Sequence, residues 1–192
     1  MSARYDELPL IEPANRDELR AWFEANHATS PGARIAIGKK GNSVTTLTYE
    51  DSIEEALCFG WIDSTAGRID ADRFSVRYSP RKPGSMWARS NKERVERLIA
   101  QGRMCPAGLA AVEAAKADGS WTSIDDVEDL LVPANLASAL AENPEALRFW
   151  DELPAGQRKM SLQWIGSAKR PETRAMRIAE TVRAASEARR MW

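Results

Sequence analysis

The 192-residue sequence predicts an α+β fold, with a small mixed or antiparallel sheet and its helices in residues 1–84 and an all-helical region over 85–192. Two observations carry this expectation. Short β-branched or alternating runs are confined to the first 80 residues, and from Ser85 onward apolar residues recur at spacings of three and four. Proline and glycine punctuate those later segments closely enough to make the helices short.

Taken in order, Asn15 precedes RDELRAWFEANH, where acidic residues open the first turn and Leu19, Trp22 and Phe23 share one face. That helix should end near HATSPGA, at Pro31 and Gly32. ARIAIGKKG is β-permissive, and the GNS turn leads into the β-branched VTTLTYE, so the two read as a hairpin or neighbouring strands. Thr48 then opens TYEDSIEEALCFGW, a helix with Ile53, Ala56 and Leu57 on its apolar face and Gly60 at its end. WIDS and RFSVRYS are short strand candidates separated by the polar loop TAGRIDAD.

In the helical region, Ser90 or Asn91 is the expected cap of KERVERLIAQG, with Val95, Leu98 and Ile99 as its apolar stripe. PAGLAAVEAAKADG starts near Pro106 and stops at Gly119. SIDDVEDLL, PANLASALAENP, EALRFWDEL, AGQRKMSLQWIGSA and PETRAMRIAETVRAASEARR continue as further helices.

Composition narrows the function classes. Hydrophobic residues at 43% and charged residues at 29% suit a globular protein with an ordinary core. Cys58 and Cys105 lack CxxC spacing and His27 is the single histidine, which argues against a disulfide framework and against zinc. No glycine-rich phosphate loop occurs, because GKKGNS lacks both the glycine spacing and the following helix. No metal and no cofactor is expected. The N-terminus has no apolar run of signal-peptide length and no stretch reaches about 18 apolar residues, so a cytoplasmic location is expected.

The net charge of −1 conceals segregation. Residues 1–72 carry 7 basic and 13 acidic side chains, residues 73–111 carry 9 and 2, residues 112–152 carry 2 and 10, and residues 153–192 carry 9 and 3. Either these blocks pair internally or the basic ones face an anionic partner.

The stretch YSPRKPGSMWARSNKER (78–94) concentrates this question. Arg77, Arg81 and Lys82 precede Trp87, and a helix starting near Asn91 would add free N–H groups. Guanidinium forks bind carboxylate or phosphate, and an indole offers a flat wall. Trp61 and Asp63 should emerge nearby on a short strand, with Asp63 beside Arg77 or Arg81. The candidate ligand-binding set is therefore Trp61, Asp63, Arg77, Arg81, Lys82, Trp87 and Asn91. The competing reading is a proline-stiffened connector, with Trp87 in the core and its cations paired with the acidic block 112–152.

Other candidates have plainer accounts. Cys58 would need His27 as a base to act as a nucleophile, and otherwise is a buried residue ending an amphipathic helix. Asp125 and Asp126 suit the start of a helix, where the dipole favours negative charge. Arg170, Arg174 and Arg177 form a stripe that would suit nucleic-acid phosphates or an anionic membrane surface, while Ile178 and Val182 would pack the same helix. An enzyme using Cys58 or Asp63 remains a further alternative, without a definable substrate.

EEALCFGWIDS (54–64), SPRKPGSMWARSNKERVERLIAQGRMCPAGLAAVEAAKADGSW (79–121) and WIGSAKRPETRAMRI (164–178) resemble the bacterial YdeI/OmpD-associated family, also named for bacteriocin protection, over about residues 15–185. The resemblance implies a small bacterial protein linked to envelope stress or survival of antimicrobial peptides, with a characteristic C-terminal helical module and no agreed catalytic residues. The expectation that follows is a cytoplasmic protection protein that binds an anionic ligand. The alternative is a nucleic-acid-binding module using basic segments 73–103 and 158–190.

Overall fold

The structure, a computed structural model, describes residues 7–191. Among these it has nine helices and a four-stranded mixed sheet, with all strands before residue 81. The α+β expectation therefore holds. The chain divides into two compact units at 122/123. The strands do end before residue 84, but the helices of 89–117 pack within the first unit, so secondary structure and packing change at different places.

In the first unit, β1 (Leu10–Ile11) pairs parallel with β2 (Ala33–Gly38). The helix α1 (Arg16–Asn26) lies between them in the chain, its N-cap Asn15 accepting from the Glu18 amide at 2.9 Å. α2 (Tyr49–Cys58) begins with a full capping box between Thr48 and Asp51. β3 (Trp61–Arg68) and β4 (Arg73–Pro80) form an antiparallel hairpin, giving the strand order β1-β2-β4-β3. α3 (Arg89–Ala100) and α4 (Pro106–Ala117) complete the unit.

Three expectations are corrected. VTTLTYE forms no strand: the Asn42 side-chain oxygen accepts from the Val44 and Thr45 amides, and the Thr45 hydroxyl donates to the Pro13 carbonyl. These local side-chain bonds satisfy the backbone in a turn instead of a ladder, and the antiparallel partner of β2 is β4. β3 absorbs half of the expected TAGRIDAD loop, with a register shift between Asp63 and Ala66. α3 starts at Arg89, its N-cap Ala88 making no side-chain cap bond, and Ile99 is exposed.

The core of this unit joins Leu19 and Phe23 of α1, Ile35 and Ile37 of β2, Leu57 of α2, Trp61, Val76 and Tyr78 of the hairpin, Trp87, and Leu98 of α3. α2 lies at its centre, and every residue from Ser52 to Cys58 is buried. Two glycines permit its close seating. An added Cβ at Gly108 on α4 would stand 2.3 Å from the Cys58 carbonyl oxygen, so α4 approaches α2 where only glycine fits. Gly60 turns the chain out of α2 at φ +75°, with Ala107 and Ala111 against it.

The second unit contains α5 (Asp125–Glu128), α6 (Ala134–Ala141), α7 (Pro144–Glu152), α8 (Ala155–Gly166) and α9 (Pro171–Ser186). Leu136, Leu140, Trp150, Leu162, Ile165 and Ile178 form its core, with Val182 packed against it. No helix among the described residues is long and apolar enough to cross a membrane.

Candidate functional site

α2 carries four carboxylates, of which Glu54 and Glu55 are buried in the first unit while Asp51 and Glu50 lie nearer its surface. Burying a carboxylate is costly unless cations and donors surround it, and the surrounding elements supply them. Glu55, with its side chain fully buried, accepts from Arg16 Nε at 2.6 Å, Arg20 at 2.9 Å and Arg103 at 2.6 Å. Glu54 pairs with Arg16 at 2.8 Å and Arg97 at 2.6 Å. Arg94 grips both oxygens of Glu50, at 2.9 and 2.7 Å. That hydrogen bond, reinforced by the Arg94 and Arg97 charges against some burial, holds Glu50 below the ordinary carboxylate range.

Much of the basic block therefore has an internal destination. Arg94, Arg97 and Arg103 of that block pair with the acidic residues of α2. Arg73 is similarly taken up by Asp70 at 2.8 Å and Glu12 at 2.6 Å. From the later acidic block, Asp118 reaches the 78–94 stretch, accepting from the Gly84 amide at 2.9 Å.

Arg81 is different. Its guanidinium stacks 3.5 Å from the centroid of the buried Trp87 ring and donates through Nη1 to the Met86 carbonyl at 3.1 Å. Its Nε and Nη2 are buried, with no hydrogen-bond partner among the described residues. Burial lowers its pKa to about 10, and the nearby Asp63 charge acts in the opposite direction. Among the described residues Arg81 makes no ion pair, and the nearby Asp63 accepts from the Tyr49 hydroxyl at 2.8 Å. Burial together with this bond to Asp63 pushes the Tyr49 phenol up to about 12.

Arg81 lies between two depressions. One is a narrow crevice lined by Trp61, Asp63, Tyr78, Arg81 and Asn91. The other is a cavity of about 160 Å³ whose polar wall is Arg81, Lys82 and Asp118 and whose apolar wall includes Trp87, Ala111 and Ala115. Asp118, which also accepts from the Ser120 amide at 2.8 Å, is held below the usual carboxylate range by its bonds to Ser120 and to the Gly84 amide.

The structure thus distributes the seven candidate residues unevenly. Trp61, Asp63, Arg81 and Asn91 meet around the crevice, and Arg81, Lys82 and Trp87 meet around the cavity. Trp61 belongs chiefly to the core, edge-on to Trp22 and Phe23, its indole N–H donating to the His27 carbonyl. Asn91 accepts from Arg94. Arg77 is not brought to this face: Tyr78 pairs with Asp63 and points with it toward α2, so its neighbour Arg77 points to the other side of the sheet.

His27 caps α1 with its ring 5.1 Å from Phe59. Cys58 is buried at the end of α2, where burial and the Glu55 charge push its thiol up to about 11. Asp125 and Asp126 open α5. Arg177 stacks on Trp164 and hydrogen-bonds its carbonyl and the Ser167 hydroxyl. Among the described residues no group of three or more His, Cys, Asp or Glu side chains is placed to hold a metal ion. Sequence reasoning missed Asp118, the Tyr49–Asp63 bond and the Glu54–Glu55 cluster. The Glu-Glu pair inside SIEEALCF was the available signal, because two acids embedded in an apolar helix require cations.

What fold and site define is an α+β unit with a desolvated arginine beside a small half-apolar cavity, joined in the chain to a helical unit. The chain belongs to the family described as Domain of unknown function (DUF8412), whose model matches residues 11–111. The family described as "Bacteriocin-protection, YdeI or OmpD-Associated" matches residues 129–188. Each match falls within one packing unit. The YdeI/OmpD-associated resemblance is thus shown for the helical segment, whereas 54–64 and most of 79–121 fall within the first family's match. Searches of curated proteins and of solved structures return no match.

Proposed function

We propose that this is a cytoplasmic bacterial protein of stress and antimicrobial-peptide protection that binds a small organic anion in the cavity beside Arg81, Lys82 and Trp87. The observation that carries the reading is the state of Arg81: two buried N–H donors without acceptors among the described residues, on a cation with which the nearby Asp63 forms no ion pair. Leaving such donors unsatisfied costs about 1–3 kcal/mol each, and a carboxylate seated beside Arg81 would supply countercharge to its guanidinium. The size of the cavity, about 160 Å³, matches a benzene-sized guest, since cavities of about 150 Å³ hold benzene. Its alanine and tryptophan wall favours an apolar body behind the anionic head. The link to protection comes from the family matching the helical unit.

The nucleic-acid alternative draws less support, because Arg73, Arg94, Arg97 and Arg103 already pair with carboxylates. Titration calorimetry with benzoate, acetate, phosphate and a single-stranded oligonucleotide at two salt concentrations tests the reading. Benzoate binding that resists salt and weakens at least tenfold in Arg81→Ala is expected. Benzoate affinity unchanged in that variant, or steeply salt-dependent binding of the oligonucleotide alone, would overturn it.

A further inference from the structure

Cys58 and Cys105 are the two cysteines of the sequence, both with free thiols, and the fold brings them together across 46 intervening residues. Cys58 ends α2 and Cys105 is the N-cap of α4. The Cys105 amide donates to the Cys58 carbonyl at 3.1 Å. That bond puts the two backbones in direct contact, and a disulfide spans Cα separations of about 4.4–6.8 Å. Gly108, one turn into α4 and against the Cys58 carbonyl, keeps the two helix ends pressed together.

The two thiols differ in their access. Cys58 is fully buried, whereas Cys105 is half-buried. Arg20, while paired with Glu55, donates to Cys105 Sγ at 3.3 Å and to the Arg103 carbonyl. Its charge also acts on the Cys58 thiol, against the upward push of burial and Glu55. The same guanidinium thus serves both sulfurs.

We propose that Cys58 and Cys105 are an oxidation site, forming a reversible disulfide within the chain that clips the end of α2 to the start of α4. Hydrogen peroxide is the oxidant. The Cys105 sulfur attacks one peroxide oxygen, the O–O bond breaks, and Cys105 becomes a sulfenic acid while hydroxide leaves and takes up the thiol proton as water. The Cys58 sulfur then attacks the Cys105 sulfur, the S–S bond forms, and the S–O bond breaks. The departing hydroxide takes the Cys58 proton as a second water. Two thiols lose two electrons and peroxide gains them. The closed loop spans β3, β4 and α3, and so includes Arg81 and Trp87. Oxidation should raise the melting temperature of the first unit, since a crosslink restricts the unfolded chain.

The test treats the full chain with a small molar excess of hydrogen peroxide, caps free thiols with N-ethylmaleimide, and reads intact mass, non-reducing gel mobility and peptide linkage. Expected are a monomer lighter by about 2 Da, no capped thiol, a linked peptide pair containing Cys58 and Cys105, and reversal by dithiothreitol. Cys105→Ser should abolish the crosslink. Cys58→Ala should leave Cys105 as a sulfenic acid trapped by dimedone, and if that variant does not fold, the linkage map and Cys105→Ser decide alone. A Cys105 that gains about 32 Da as sulfinic acid, a disulfide between two chains, or two thiols untouched while iodoacetamide still labels Cys105 would overturn the proposal.

Discussion

Replacing Glu55 by Gln keeps the shape of the side chain and removes the charge on which Arg16, Arg20 and Arg103 converge. The carboxylate is fully buried, and the three arginine side chains are 25%, 27% and 34% exposed. Removing one member of a buried ion pair costs about 3–5 kcal/mol, because the partner charge is left without compensation. Partial exposure of the arginines lets water take up part of that loss, which places the expected cost at the low end, about 3 kcal/mol. With a urea m-value of about 2 kcal/mol/M, the midpoint for the first unit should fall by about 1.5 M with m unchanged. Arg103→Ala should cost less, since two guanidinium groups remain on Glu55. The assay is urea unfolding followed by tryptophan fluorescence, with Trp22, Trp61, Trp87 and Trp121 reporting on this unit. A Glu55→Gln midpoint equal to that of the parent would refute the reasoning. It would mean that the cost of taking Glu55 out of water cancels its attraction to all three cations.

Two further expectations concern the same unit and its neighbour. Gly108→Ala should destabilise by about 1–3 kcal/mol through overpacking on the Cys58 carbonyl, although alanine is the better helix former by about 1 kcal/mol. Gly156→Ala, on a helix position where an added Cβ meets nothing within 4 Å, should stabilise, and opposite signs in the two melting curves would separate packing from propensity. Acid should weaken the first unit through Glu50. Its folded pKa lies below the ordinary value because of Arg94, so its contribution is complete above about pH 4.5 and is lost as pH falls through the folded value. Melting temperatures measured between pH 5.5 and 3.5 should decline less in Arg94→Ala than in the parent, and parallel declines would remove Glu50 as the cause.

Helix content and helix limits were legible from local chemistry. Asn15 and Thr48 cap where their hydroxyl or amide oxygen predicts, Pro106 opens α4, and Gly60 and Gly119 stop helices. Capping and backbone stiffness act over a few residues, so the sequence carries them directly. β-Propensity misled at VTTLTYE, where Asn42 and Thr45 offer the backbone nearer partners than a second strand. It also understated β3, whose strand through TAGR is imposed by pairing with β4.

The candidate site was legible in part. Residue types at 78–94 singled out Arg81 and Trp87, and the Arg81 guanidinium stacks 3.5 Å from the centroid of the Trp87 ring. Sequence could not say which cations were already taken. Arg94, Arg97 and Arg103 are chemically equivalent to Arg81 along the chain, yet they pair with the carboxylates of α2 while Arg81 forms no ion pair among the described residues. Charge pairing depends on distances between segments some 40 residues apart in sequence, and so does the meeting of Cys58 with Cys105. The sequence by itself determined most of the helices, the caps at Asn15 and Thr48, and the α+β class. Only the tertiary structure decided which charges cancel and which arginine is left desolvated and unpaired beside a cavity, because Coulomb energy and desolvation depend on proximity and burial that no local pattern encodes.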